Sequence, residues 1–132
     1  MTNPAPHGPL NGIRVVDLTQ FVLGPFCTQQ LGDLGADIIK VEDAGGDRQR
    51  RGTGKTAPAP DLSGPFVQLN RNKRSVVLDL KDPEAKEALK ALIATADVFI
   101  HNMRPDSIQR HGFGYEAVAA IKPDIVYVVA MG

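Results

Sequence analysis

Short apolar runs rich in β-branched residues alternate along this chain with stretches in which apolar side chains recur every three or four positions. Ile13 to Leu18 (IRVVDL) is too short for a stable helix and predicts a first strand. Gly24-Pro25 follows, and proline suits a first helical turn, where its missing N–H has no partner to lose. A helix from about Pro25 to Leu34 would put Phe26, Gln30, Leu31 and Leu34 near one face, with Gly35 as its stop. Asp37 to Glu42 (DIIKVE) reads as a second strand and completes a βαβ unit of about 30 residues.

Residues 43–65 break this rhythm. They hold almost no large apolar side chains and predict a long polar connection, of the kind that is functional or disordered. The alternation resumes with a strand over Ser75–Leu80. Asp82-Pro83-Glu84 then opens a helix: Asp82 as cap, Pro83 at the first position, Glu84 at the positive helix end. Ala85, Ala88, Leu89, Leu92 and Ile93 form its apolar stripe. A strand over Asp97–His101, a turn at Gly112–Gly114, a short helix over Tyr115–Ile121 and a strand over Asp124–Ala130 complete the pattern.

Strands separated by helices, with near-continuous Val/Ile runs, predict an α/β fold with a mostly parallel sheet and helices on both faces. The loops after the strands then share one rim, where α/β sheets bind ligands. That rim would carry Thr19, Gln20 and Phe21; Asp43, Gly45 and Gly46; Asp79 and Lys81; and Asn102, Met103 and Arg104. Arginine and lysine there suit phosphates, Asn an adenine edge or an amide, and Met or Phe a ring face.

Charge and composition narrow the classes. Lys plus Arg and Asp plus Glu number 15 each, so the basic excess of a nucleic-acid binder is missing, although Arg48, Arg50 and Arg51 cluster. Cys27 is the single cysteine, which excludes an internal disulfide and a multi-cysteine metal site; it reads as a small buried hydrophobe on a helix. No apolar run approaches the roughly 20 residues of a membrane span, and MTNPAPHGPLNG lacks the pattern of a secretory signal. A cytoplasmic protein is expected, with residues 1–9 as a disordered lead-in.

No GxGxxG, GxxxxGK[ST], HExxH or GxSxG is present, and RGTGK (51–55) neither follows a strand nor opens a helix. His7 falls in the tail, His101 ends a strand and His111 sits in a turn, the latter two reading as polar rim residues. No nucleophile, base and orienting acid can be assembled from spacing.

Three ordered blocks carry a family resemblance: residues 10–52 (LNGIRVVDLTQFVLGPFCTQQLGDLGADIIKVEDAGGDRQRRG), 70–80 (NRNKRSVVLDL) and 97–112 (DVFIHNMRPDSIQRHG). Together they resemble the N-terminal part of the class III CoA-transferases, the family of formyl-CoA and carnitine CoA-transferases. The resemblance covers residues 10–132 and implies an incomplete large domain with a Rossmann-like fold. It implies movement of CoA from an acyl-CoA to a small carboxylic acid through an aspartyl intermediate, in an interlaced homodimer and without a metal. The catalytic aspartate of that pattern lies past Gly132, so the chain alone would at most bind CoA.

Carried over by position, the family's CoA contacts fall on Gln20, Phe21, Leu78, Asn102, Met103 and Arg110. Lys73 and Arg74 fit either phosphate contacts or structural ion pairs. Val22 and Asp43 stand where formyl-CoA transferase has a glutamine and an arginine; an acid at 43 would repel phosphate and argues against formyl/oxalate specificity. The α-methylacyl-CoA racemases share the pattern and are the alternative enzyme. A non-catalytic α/β binding module is the alternative of another class.

Overall fold

The computed structural model describes residues 7–52, 54–56 and 59–131, so most of the predicted lead-in lies outside it. In chain order the elements are β1 (Arg14–Leu18), α1 (Leu23–Asp33), β2 (Asp37–Glu42), a 3₁₀ turn (Arg48–Arg51), β3 (Lys55–Thr56), β4 (Ala59–Ser63) and α2 (Gly64–Leu69). There follow β5 (Lys73–Val77), α3 (Pro83–Ala94), β6 (Val98–His101), α4 (Pro105–His111), α5 (Tyr115–Ile121) and β7 (Val126–Val129).

Five strands form one sheet in the order β5-β2-β1-β6-β7, and every neighbouring pair is parallel. Parallel pairing sends each connection back across a face, so helices must cover the sheet. Two apolar clusters lie on its two faces. Val16, Leu18 and Phe99 pack with Leu89 and Ile93 of α3, Ile108 of α4 and Val118 of α5. Val15, Ile38 and Ile100 form the other cluster, with Leu31 of α1 against it. Gly35, at φ 101°, ends α1 in the left-handed region that glycine adopts freely. The predicted cap at Asp82 forms: its Oδ1 accepts from Glu84 N–H at 2.9 Å.

Four readings are corrected. The described residues of 43–65, expected as a long polar connection, include regular elements: the 3₁₀ turn, the antiparallel pair β3–β4 and the start of α2. The helix α4 was not predicted, because Ile108 is the one side chain of its seven residues that is buried. On α1, Phe26, Gln30 and Leu34 face outward, and the buried face is made of Gly24, Pro25, Thr28 and Gln29. Small and polar residues win that face because α1 lies close on β1, with the Thr28 hydroxyl donating to Asp17 Oδ2 at 2.6 Å. Cys27, on the outward face, is exposed rather than buried.

Candidate functional site

Because all five strands of the large sheet run in parallel, their C-terminal ends meet at one rim. The chain moves outward from β1 to β2 and β5, then crosses to the other side of β1 for β6 and β7. The order therefore reverses between β1 and β6, and loops diverge there to leave a crevice. Asn102, after β6, bridges it: Gln20 N–H donates to Asn102 Oδ1 at 2.9 Å, and Asn102 Nδ2 donates to the Gln20 carbonyl at 2.8 Å. The next residue, Phe21, sits at φ 69°, a strained conformation for a bulky side chain, and its ring is half exposed.

Two adjoining clefts open along this rim. One, of about 360 Å³, lies between the ends of β1, β2 and β5 and is lined by Gln20, Asp43, Leu78, Lys81, Met103 and His111, among others. The other, of about 550 Å³, lies over the β1–β6 crevice, between Phe21, Arg48, Arg51, Asn102, Arg104 and Arg110. The six residues singled out from the sequence are thus brought together. Leu78 borders the first cleft; Phe21, Asn102 and Arg110 border the second; Gln20 and Met103 border both.

Arg48 and Arg51 entered the sequence reading only as part of a basic cluster. A 3₁₀ turn has three residues per turn, so positions i and i+3 are eclipsed. Arg48 and Arg51 therefore share the cleft side, while Arg50 points elsewhere. Asp47 caps this turn through Oδ1, which accepts from Gln49 N–H at 2.9 Å. Arg48 reaches the Phe21 ring, 6.0 Å from its centroid, and Arg51 Nη2 donates to the Gly45 carbonyl at 2.7 Å. The second cleft holds four arginines against one acid, Asp43. The readable cue was Gly45-Gly46-Asp47 ahead of the arginines, a tight turn followed by a capping residue.

Arg50 turns inward. Its Nε and Nη2 donate to Glu42 Oε2 and Oε1 at 2.7 and 2.6 Å, and its guanidinium lies 4.1 Å from the Phe66 ring centroid. Burial pushes the Glu42 carboxyl upward, but Arg50, the Ser75 hydroxyl and the Asp47 N–H outweigh it and bring the pKa down to about 2. Glu42 is therefore a fixed anion that anchors the base of the arginine turn.

Thr19, predicted at the rim, is buried instead. Thr19 gives both its N–H and its hydroxyl to Asp17 Oδ1, at 2.8 and 2.5 Å. Lys73 points inward to Asp17 Oδ2 (3.2 Å), the Pro25 carbonyl (3.0 Å) and Asn70 Oδ1 (2.9 Å). Burial lowers its pKa, opposed by Asp17. Arg74 pairs with Asp37 at 2.7 Å, at the start of β2. Of the two roles open to Lys73 and Arg74, the ion-pair role is the one observed.

His101 is buried, not a rim residue. Its Nδ1 accepts from Met103 N–H at 3.2 Å, which leaves the proton on Nε2 for Tyr127 Oη at 2.9 Å. Tyr127 in turn donates to the Phe113 carbonyl at 3.0 Å. Burial lowers the His101 pKa, so the ring is neutral and its hydrogen bonds are spent on the fold. His111, at the end of α4, lies in the first cleft 3.3 Å from the Leu80 carbonyl.

Among the described residues, no three His, Cys, Asp or Glu side chains are grouped as a metal site. No helix among them is long and apolar enough to cross a membrane.

Comparison with known proteins places these features in context. The sequence signature of CoA-transferase family III matches residues 10–132. Succinyl-CoA:glutarate CoA-transferase of Mus musculus is 41% identical over 124 residues, covering 94% of this chain and 28% of that protein. Formyl-CoA:oxalate CoA-transferase of Afipia carboxidovorans is 43% identical over 123 residues, covering 93% of this chain and 29% of that protein. The crystal structure of a CAIB/BAIF family protein from Brucella suis superposes with a TM-score of 0.84 at 37% identity, over 91% of this chain and 32% of that one. The chain thus spans less than a third of the length of these relatives.

Proposed function

The chain belongs to CoA-transferase family III, and from that premise we propose that it binds coenzyme A at the C-terminal rim of its sheet, for transfer of CoA from an acyl-CoA to a carboxylic acid. The observation that carries this reading is the second cleft: four arginines against one acid, at the crevice between β1 and β6, beside a cleft of mixed lining that offers Leu78 and Met103 but also Glu42, Asp43 and Asp79.

CoA is a polyanion with an aromatic base and a long, thinly polar arm. Arg48, Arg51, Arg104 and Arg110 supply charge for its phosphates. Phe21, Met103 and Leu78 offer apolar surface for the base and the arm. Asn102 has committed one amide hydrogen and one oxygen lone pair to Gln20, which fixes the loop and leaves a second N–H for the ligand. Asp43 weakens phosphate binding at its own edge, and Arg48 and Arg51 offset it.

The reaction breaks a thioester and forms another. An aspartate carboxylate attacks the acyl-CoA carbonyl and releases the CoA thiolate, leaving a mixed anhydride. The thiolate attacks the aspartyl carbonyl and expels the donor acid. The acceptor carboxylate then attacks the aspartyl thioester and expels the thiolate, leaving a second mixed anhydride; the thiolate attacks its acceptor carbonyl, which frees the aspartate and releases the new acyl-CoA. That aspartate lies past Gly132 in the family pattern; residues 10–132 serve the CoA side of the reaction. A homodimer and a cytoplasmic location belong to the same proposal. The exposed apolar run Phe21, Val22, Leu23 and Phe26 supports contact with further protein surface.

Calorimetric titration with CoA tests binding, and Arg110→Ala tests the site. Loss of a charged hydrogen bond costs about 1.5–3 kcal/mol, so Kd should rise roughly tenfold to a hundredfold. Unchanged affinity would remove Arg110 from the site. In a longer protein that carries the aspartate, transfer of labelled CoA to a free carboxylic acid tests the activity; α-proton exchange in deuterated buffer without transfer would point to a racemase instead.

A further inference from the structure

We propose that Lys40 is a positioning residue that holds the two walls of the rim site in register. It lies on β2, an interior strand between β5 and β1, and is 1% exposed. Its Nζ donates to the Thr19 carbonyl at 2.7 Å and lies 2.9 Å from Asp47 Oδ2. Thr19 leads directly into Gln20 and Phe21, one wall of the second cleft. Asp47 caps the turn that carries Arg48 and Arg51, the opposite wall.

A buried ammonium needs a counter-charge and acceptors, and an ion pair there is no more stabilising than apolar packing would be. What sets this lysine apart is that its two partners belong to different loops, each bearing site residues. Asp47 Oδ2 is buried and has no directed hydrogen bond, so the Lys40 charge is what balances it. Thr19 is fixed from the other side by Asp17. Releasing Lys40 therefore frees one anchor of each wall at once, while the β-ladder through residue 40 is kept by the backbone.

The affinity arm of the test rests on the CoA reading; the exchange arm does not. Lys40→Met alone strands the Asp47 charge in the core, so the working variant is Lys40→Met/Asp47→Asn, which removes both charges. Arg14→Gln/Arg74→Gln/Asp37→Asn, at the opposite end of the sheet, removes every member of another ion-pair group and controls for loss of ion pairs as such. Amide hydrogen exchange of the ligand-free proteins should quicken about tenfold in both segments 19–23 and 47–52 of the working variant, with β6 unchanged. Kd for CoA should rise by about tenfold. The control should change neither.

Unaltered exchange in either segment overturns the proposal, as does uniform loosening of the whole sheet. Looser segments with unchanged CoA affinity overturn it too, because Lys40 would then order loops that do not set the site. Looser segments in a protein whose parent chain binds no CoA would uphold the coupling by Lys40 and sink the CoA reading.

Discussion

Glu42 is the residue through which acid reaches the arginine turn. It is 4% exposed and ionised, with a pKa of about 2 against an ordinary 4.5. A carboxyl depressed in the fold stabilises it fully above the unfolded value and loses that contribution as pH falls through the folded one. The window here runs from about pH 4.5 down to about pH 2. Glu42→Gln should cost on the order of 3 kcal/mol at pH 7, because Arg50 loses its buried partner. The variant should also lose less stability than the parent between pH 7 and pH 3, measured by urea denaturation at both. Equal losses in the two proteins would mean that Glu42 is not the acid-sensitive anchor. Residue identities such as these were only partly legible in the sequence. Arg48, Arg50 and Arg51 are three like charges on paper; the 3₁₀ pitch and the position of Glu42 divide them into two that face the cleft and one that anchors its floor.

At the scale of elements, α1 shows how close approach overrides apolar pattern. Leu23 and Phe26 face outward, and Gly24, Pro25, Thr28 and Gln29 take the inner face, with Leu31 reaching the core beside them. Gly24 is the tightest point: a Cβ there would lie 2.3 Å from the Thr19 Cβ. Gly24→Ala should therefore destabilise the protein by roughly 1–3 kcal/mol, the usual cost of overpacking. The side chain it displaces belongs to the loop leading into Phe21, so CoA affinity should fall as well. Melting and titration of the same sample check both, and an unshifted midpoint would show that α1 can slide outward at little cost. The strands were legible because parallel strands buried on both faces leave continuous Val/Ile runs. The helix α4 was not, because a seven-residue element that buries one side chain leaves no period to detect, and the pair β3–β4 was not, because β3 is two residues long.

For the whole molecule, chain reversal at β1 decides where chemistry can sit. The sequence predicted a parallel sheet and one shared rim, but not which strands are neighbours. That depends on long-range pairing such as Val15 between Ile38 and Val98. Once β1 is central, Gln20 and Asn102 must meet, and residues 82 positions apart become one clamp. The same arrangement joins Leu78, Met103 and Arg110 along adjoining clefts. The measurement that tests this account most directly is a two-dimensional amide NMR titration of the labelled protein with CoA. The account predicts shifts at residues 20–23, 43–51, 78–81 and 102–110, with the opposite end of the sheet, around Arg14, Asp37 and Asp97, unmoved. Shifts centred on that opposite end, or none at saturating CoA, would contradict it.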